Sequence, residues 1–221
     1  MASIKNYQHI EKFGEDFGTK FDYIYNEFFL CLYKWQEYRQ IFMYSKKAIE
    51  IINKETSSFF YLYHEVLLND IIMTICRLSD KESTFGKENV SILNIRKYFN
   101  KDTEICNMVD IIFDDASKIK KYRNHYLGHN DLESIKNGTN EKIEIPEIDK
   151  FVNNTGNLIK HIYLKYLKID LALEIIPPLS NSRALLMRLQ DGLKYKNEIM
   201  ERLVKREITG TWDDYIGKIE D

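Results

Sequence analysis

Near the middle of the chain, the run Tyr122-Arg123-Asn124-His125-Tyr126-Leu127-Gly128-His129-Asn130-Asp131 brings together a permanent cation, carboxamides and titratable imidazoles. A guanidinium is a planar fork that matches two phosphate oxygens, and an imidazole titrating near about pH 6.5 gives or takes a proton at neutral pH. Arg123 and His129 together suit cleavage of an RNA phosphodiester. In that reaction the 2'-hydroxyl attacks the adjacent phosphorus, Arg123 would hold the negative charge gathering on the non-bridging oxygens, and His129 would move a proton. The nucleophile lies within the substrate, so neither a metal nor a cofactor is expected. Asn124 supplies amide donors beside the pair. Lys118, Lys120 and Lys121 would extend a phosphate-binding surface, and Tyr122 and Tyr126 would stack on bases. The plainer reading of the lysines as a solvated helix face stands beside this one, as does a structural hydrogen-bonded cluster for the whole run.

These residues need a helix to position them. Val109, Ile112, Ala116, Ile119 and Tyr126 recur in steps of three and four, predicting a helix from about Thr103 to Leu127, with Gly128 placed to end it. Arg123 falls on the same apolar stripe, where a charge is costly unless it is paired or faces a wet cleft. On a straight helix, positions six apart differ by about 240°, so His129 reaches Arg123 only if the chain turns near Gly128.

The remaining elements read as long helices. Phe21, Ile24, Phe28, Cys31, Trp35, Tyr38 and Phe42 form one unbroken seam after a polar lead-in interrupted by Gly14 and Gly18. A second helix is expected from near Ser45 through Cys76, apolar nearly all round in its later half. Its polar exceptions are His64, Asp70, Arg77 and Asp80, of which the first two read as satisfied groups. Arg77 and Asp80 are either an intrahelical pair or a support for the site. A loop around Gly86, a short helix from about Ser91 to Phe99, a loop at Asn137–Asn140 and an extended connector at Lys142–Ile145 follow. Pro146 then opens a helix with Ile148, Phe151, Leu158, Ile162, Tyr166 and Ile169 inward, and Pro177-Pro178 precedes a last helix from about Asn181 to Glu207. His9, His125 and His161 read as surface residues. With 221 residues, 44% hydrophobic, and only 9 glycines and 3 prolines, the chain is expected to be one all-α domain, an antiparallel helical bundle over residues 1–221 with its core at about 20–175.

A net charge of -2 gives no bulk attraction for nucleic acid, so any polyanion must meet a local basic patch. Cys31, Cys76 and Cys106 lack the spacing of a metal knuckle or redox pair and read as free thiols. His129 and Asp131 with Asp114 and Asp115 are too loosely spaced to specify a metal site. No phosphate loop, nucleophile elbow or dinucleotide fingerprint is present. The start has no signal-peptide core and no stretch is plainly membrane-spanning, so a cytoplasmic location without membrane contact is expected.

The order Arg123, Asn124, then His129 resembles the Arg-polar-x(4-6)-His signature of the HEPN superfamily. Leu32-Tyr33-Lys34-Trp35-Gln36-Glu37-Tyr38-Arg39, Phe59-Phe60, Arg77-Leu78-Ser79-Asp80 and Tyr122 through Asp131 together resemble the AbiU-type abortive-infection HEPN proteins. The resemblance implies Arg123 and His129 as a catalytic pair, Asn124 as its polar neighbour, and Arg77, Asp80 and Asp131 as supporting positions. It also implies a metal-independent ribonuclease acting in phage defence as a toxin, leaving 2',3'-cyclic phosphate and 5'-hydroxyl ends. The implied partners are RNA, a second copy forming a homodimer with a composite site, and an antitoxin or another defence protein. The alternative is a non-catalytic HEPN module that binds RNA or nucleotide, or scaffolds a defence complex. Asp131 stands where toxins controlled by nucleotidyltransferase antitoxins often carry a modifiable tyrosine, so that mode of control is not expected here.

Overall fold

The computed structural model describes residues 7–55, 57–84, 86–128, 143–173, 181–211 and 214–215. The loop expected at 137–140, the beginning of the 142–145 connector and Pro177-Pro178 lie outside them. The architecture is all-α: α1 (Tyr7–Phe13), α2 (Glu15–Phe42), α3 (Lys46–Glu55), α4 (Ser57–Leu78), α5 (Ile92–Tyr98), α6 (Thr103–Tyr122), α7 (Ile145–Ile162) and α8 (Ser182–Val204). The Gly86 loop closes a two-stranded antiparallel hairpin, Ser83–Thr84 against Lys87–Glu88. Gly86 takes a φ of 76°, a conformation glycine adopts without a Cβ penalty.

Two compact units divide the chain: residues 1–35 with 66–175, and residues 36–65 with 176–221. In the first, α6 packs along α7. Phe21, Ile24, Phe28, Ile71, Ile75, Ile105, Val109, Ile112, Phe151, Leu158 and Ile162 are all fully buried there. Each such side chain contributes about 1.5–3 kcal/mol relative to exposure, so this seam sets the direction in which α6 delivers its C-terminal end. Trp35 Nε1 donates to Asp149 Oδ1 at 2.9 Å, tying α2 to α7. In the second unit, Ile41, Ala48, Ile52, Phe60 and Leu186 form a smaller core. The Ser182 backbone N–H, at the head of α8, donates to Glu37 Oε2 at 2.9 Å.

The structure departs from the sequence reading in several places. The polar lead-in is a helix, α1, and Gly18 interrupts nothing: it lies inside α2, where a Cβ would stand 2.6 Å from the His9 carbonyl oxygen. That close crossing buries His9 completely, contrary to its assignment to the surface. His125 is exposed as expected, and His161 is half-buried with Nε2 3.5 Å from Glu104 Oε2. The helix expected over Ser45–Cys76 is two, α3 and α4. Of these, α4 is the one described helix long and apolar enough, by length and composition, to cross a membrane. Its later half is core, with Ile71, Ile72 and Ile75 buried, and its Asp70 is ion-paired to Lys34 at 2.5 Å. Phe59, Leu62 and Val66 in its earlier part are exposed instead. Ile169 is also 38% exposed, because the chain leaves helical geometry at Lys168, whose φ is 59°. Cys31 and Cys76 are buried free thiols, while Cys106 is only half-buried.

Candidate active site

Helix α6 begins at Asp102, whose carboxylate accepts from the Ile105 backbone N–H, and runs with Ile105, Val109, Ile112, Ala116 and Ile119 buried. Regular α-helix stops at Tyr122, and Arg123–Gly128 form a π-helical turn. In such a turn each N–H bonds one residue further back than in an α-helix, which widens the coil and re-aims side chains; such turns recur at functional sites. The turn starts on Arg123, the one charge on the apolar stripe.

Arg123 is neither fully buried nor free. Its side chain is 28% exposed, and its Nη2 stands 3.9 Å from Asp80 Oδ1, too far for a hydrogen bond. Its Nε is buried and has no hydrogen-bond partner among the described residues. Among the described residues the guanidinium thus has one carboxylate at long range, the Cys76 thiol within hydrogen-bond reach, and no acceptor at Nε. Asp80 follows the C-terminal end of α4, where the Ser79 hydroxyl donates back to the Ile75 carbonyl at 2.8 Å.

Lys120 belongs to this cluster. It is half-buried, donates from Nζ to the Ser79 carbonyl, and sits 4.8 Å from the centroid of the Phe113 ring. Burial lowers its pKa from the ordinary lysine value, partly offset by Asp80 and reinforced by the Arg123 charge. The Cys76 thiol is raised by burial, against the opposing pull of Arg123 and Lys120. Two cations, one carboxylate and one thiol therefore converge where α4 ends and α6 turns.

The other predicted residues sort differently. Arg77 donates to Glu27 Oε2 at 3.2 Å and to Thr74 Oγ1 at 2.9 Å, so it does not form the intrahelical pair with Asp80. Thr74, one turn earlier, and Glu27 on α2 hold its guanidinium. Asp80 instead lies 3.9 Å from Arg123 Nη2. Lys118 is exposed and ion-paired to Glu147 at 2.9 Å, and Lys121 is exposed. The three lysines therefore do not make one surface: Lys120 faces the Arg123 cluster and Lys118 faces α7. Asp115 accepts from Asn154 Nδ2 at 2.7 Å. His64 Nε2 lies 2.9 Å from the Tyr38 hydroxyl, satisfied as expected. Asn124 is exposed and Tyr122 half-exposed. His129 and Asp131 lie outside the described residues, as does the side chain of Tyr126. Among the described residues no group of three or more His, Cys, Asp or Glu could hold a metal ion.

The AbiU2 family model of HEPN proteins matches residues 14–173, well over half of the chain and every element that places Arg123. The chain belongs to the AbiU2 family. It is an abortive-infection-related HEPN domain followed by α8, which lies beyond the matched residues. No curated protein and no solved structure matches it. In this HEPN chain the Arg-polar-x(4)-His spacing from Arg123 and Asn124 to His129 lies within the family match.

Proposed function

We propose that this AbiU2-family chain is a metal-independent endoribonuclease of a phage-defence system, with Arg123 and His129 as its reactive pair. The observation that carries the reading is the Arg123 guanidinium. A charged side chain is delivered by the buried stripe of α6 to a π turn, left partly open, and given no hydrogen bond to Nε among the described residues. A phosphate would supply the missing acceptors in the bidentate geometry a guanidinium prefers.

In the proposed reaction the 2'-oxygen forms a bond to phosphorus while its proton leaves to a base, and the bond to the 5'-oxygen breaks as that oxygen gains a proton. The products are a 2',3'-cyclic phosphate and a 5'-hydroxyl. Arg123 stabilises the charge on the non-bridging oxygens, Lys120 adds a second nearby cation, and His129 carries a proton. Asp80 keeps Arg123 oriented without saturating it. A second copy of the chain, presenting its own Arg123 turn across the cleft, would complete a composite site. An antitoxin or another defence protein would restrain it.

Purified wild-type and His129→Ala protein, incubated with total cellular RNA in EDTA and followed by mapping of fragment ends, tests this reading. Wild-type-specific cuts ending in cyclic phosphate support it. Equal RNA binding without cutting by either protein would favour a non-catalytic module that scaffolds other components.

A further inference from the structure

RNA cleavage by the route above moves two protons: one leaves the attacking 2'-oxygen, and one must reach the departing 5'-oxygen. His129 can carry one of them. A guanidinium keeps its proton and an amide does not titrate, so neither Arg123 nor Asn124 can carry the other. Around Arg123, Asp80 is a carboxylate, which would add negative charge where the transition state already gathers it. Cys76 is 1% exposed and out of a substrate's reach. His125 is exposed and two residues from Arg123, a spacing that does not bring side chains together on a helical coil. Lys120 differs on each count. It stands three residues before Arg123, one turn back on the same face of α6, and is half-buried.

The Lys120 amine is fixed by its hydrogen bond to the Ser79 carbonyl and by the Phe113 ring, whose centroid lies 4.8 Å from Nζ. An ammonium has three N–H groups, so the bond to Ser79 leaves others for a substrate. Burial draws its pKa below the ordinary 10.5; Asp80 and Cys76 oppose that shift, while Arg123 and Lys81 add to it. Such a lysine gives up a proton more readily than a solvated one. On the ribonuclease reading, we propose that Lys120 protonates the departing 5'-oxygen. The P–O5' bond breaks with its electron pair passing to oxygen, an Nζ–H bond breaks as the O5'–H bond forms, and a neutral amine remains. His129 takes the proton of the 2'-hydroxyl. Exchange with water then returns a proton to the amine and removes one from the imidazolium.

Single-turnover cleavage by the full chain in EDTA tests the assignment, using a synthetic RNA oligonucleotide that spans a cut mapped with wild type and the same oligonucleotide with sulfur in place of the 5'-oxygen at that cut. Sulfur departs as a thiolate and needs no proton, because thiols ionise near about pH 8.5. Lys120→Arg keeps the charge and a donor for the Ser79 carbonyl but cannot release a proton. It should slow the oxygen substrate by about 10²-fold or more and cut the sulfur substrate at the wild-type rate. Lys120→Met should show the same rescue, whereas Arg123→Ala should be slow on both substrates. With the oxygen substrate, the wild-type rate should fall as pH rises through a value below 10.5, and Lys120→Arg should lack that fall. A wild-type rate for Lys120→Arg on the oxygen substrate, equal slowing on both substrates, or rescue of His129→Ala instead would overturn the role of Lys120 while leaving the ribonuclease reading intact. Absence of cutting by wild type would overturn both.

Discussion

Two π-helical turns, Arg123–Gly128 after α6 and Tyr163–Leu167 after α7, use one backbone device for opposite ends. The second is saturated. Tyr163 is buried, and its hydroxyl lies 2.7 Å from His9 Nε2, while His9 Nδ1 stands 3.1 Å from Asp22 Oδ1. Phe21, Tyr25 and Tyr163 pack around the imidazole, and burial raises the Tyr163 hydroxyl far above its usual pKa. The first turn differs at Arg123, which has a carboxylate at 3.9 Å, an Nε without a partner among the described residues, and partial exposure. A Tyr-His-Asp series resembles a catalytic relay on paper, yet with His9 fully buried it has no route to substrate. The difference teaches that residue chemistry alone does not mark a site: His9 is fully buried with both ring nitrogens placed, whereas the Arg123 side chain is partly exposed and its buried Nε has no partner among the described residues.

The largest effect that would sharpen this contrast is on chemistry at the first turn. Arg123→Ala should reduce RNA cleavage by about 10²–10³-fold, as expected for losing one stabiliser of transition-state charge. Its thermal stability should change by less than about 1 kcal/mol, because the contact to Asp80 is loose and partly solvated. The second turn should behave conversely. His9→Ala removes two buried hydrogen bonds and opens a gap against Phe21, costing about 2–3 kcal/mol by denaturant titration while leaving the cleavage rate of the folded fraction unchanged.

Acid should act on the second turn first. Burial lowers the His9 pKa from its ordinary 6.5, although Asp22 opposes the shift. The unfolded chain therefore takes up a proton at higher pH than the folded one. His9's contribution is complete above about pH 6.5 and is lost as pH falls toward the lower folded value. Asp102, held at about 2 by Lys165, Tyr166 and the Ile105 N–H, adds a later loss as pH falls below its ordinary 3.8. Melting curves between about pH 7 and 5 should show the first loss in wild type and its absence in His9→Ala. The smallest effect expected is that of Asp80→Asn. It should alter stability by no more than about 1 kcal/mol and lower cleavage far less than Arg123→Ala does; a larger loss of stability would make Arg123 a structural ion-pair partner and erase the contrast.

Much of this architecture was legible in the sequence, because three-four spacing translates directly into buried faces. The seam from Phe21 to Tyr38 and the stripe from Val109 to Ile119 are buried as the pattern requires, and the same stripe located Arg123. The π turns were not legible, since hydrophobic periodicity specifies which face is buried but not a local change in hydrogen-bond register. His9 was missed because Gly14 and Gly18 looked like breaks. Gly18 instead permits the crossing of α1 on α2, and the signal available was the aromatic run Phe13, Phe17 and Phe21 flanking it. Lys120 read either as part of a phosphate-binding surface or as part of a solvated face, and only the fold shows its amine turned onto the Ser79 carbonyl beside Asp80. Of the two readings left open for Arg77 and Asp80, the intrahelical pair is not formed, because i,i+3 spacing identifies neighbours on one helix, while Glu27 arrives from another.

The most direct test of the central claim is to measure the single-turnover RNA cleavage rate in EDTA and the melting temperature on the same preparations of wild-type and Arg123→Ala protein. The account predicts a rate lower by about 10²–10³-fold at an essentially unchanged melting temperature. An unchanged rate, or a loss of rate that merely follows a large drop in melting temperature, would contradict it.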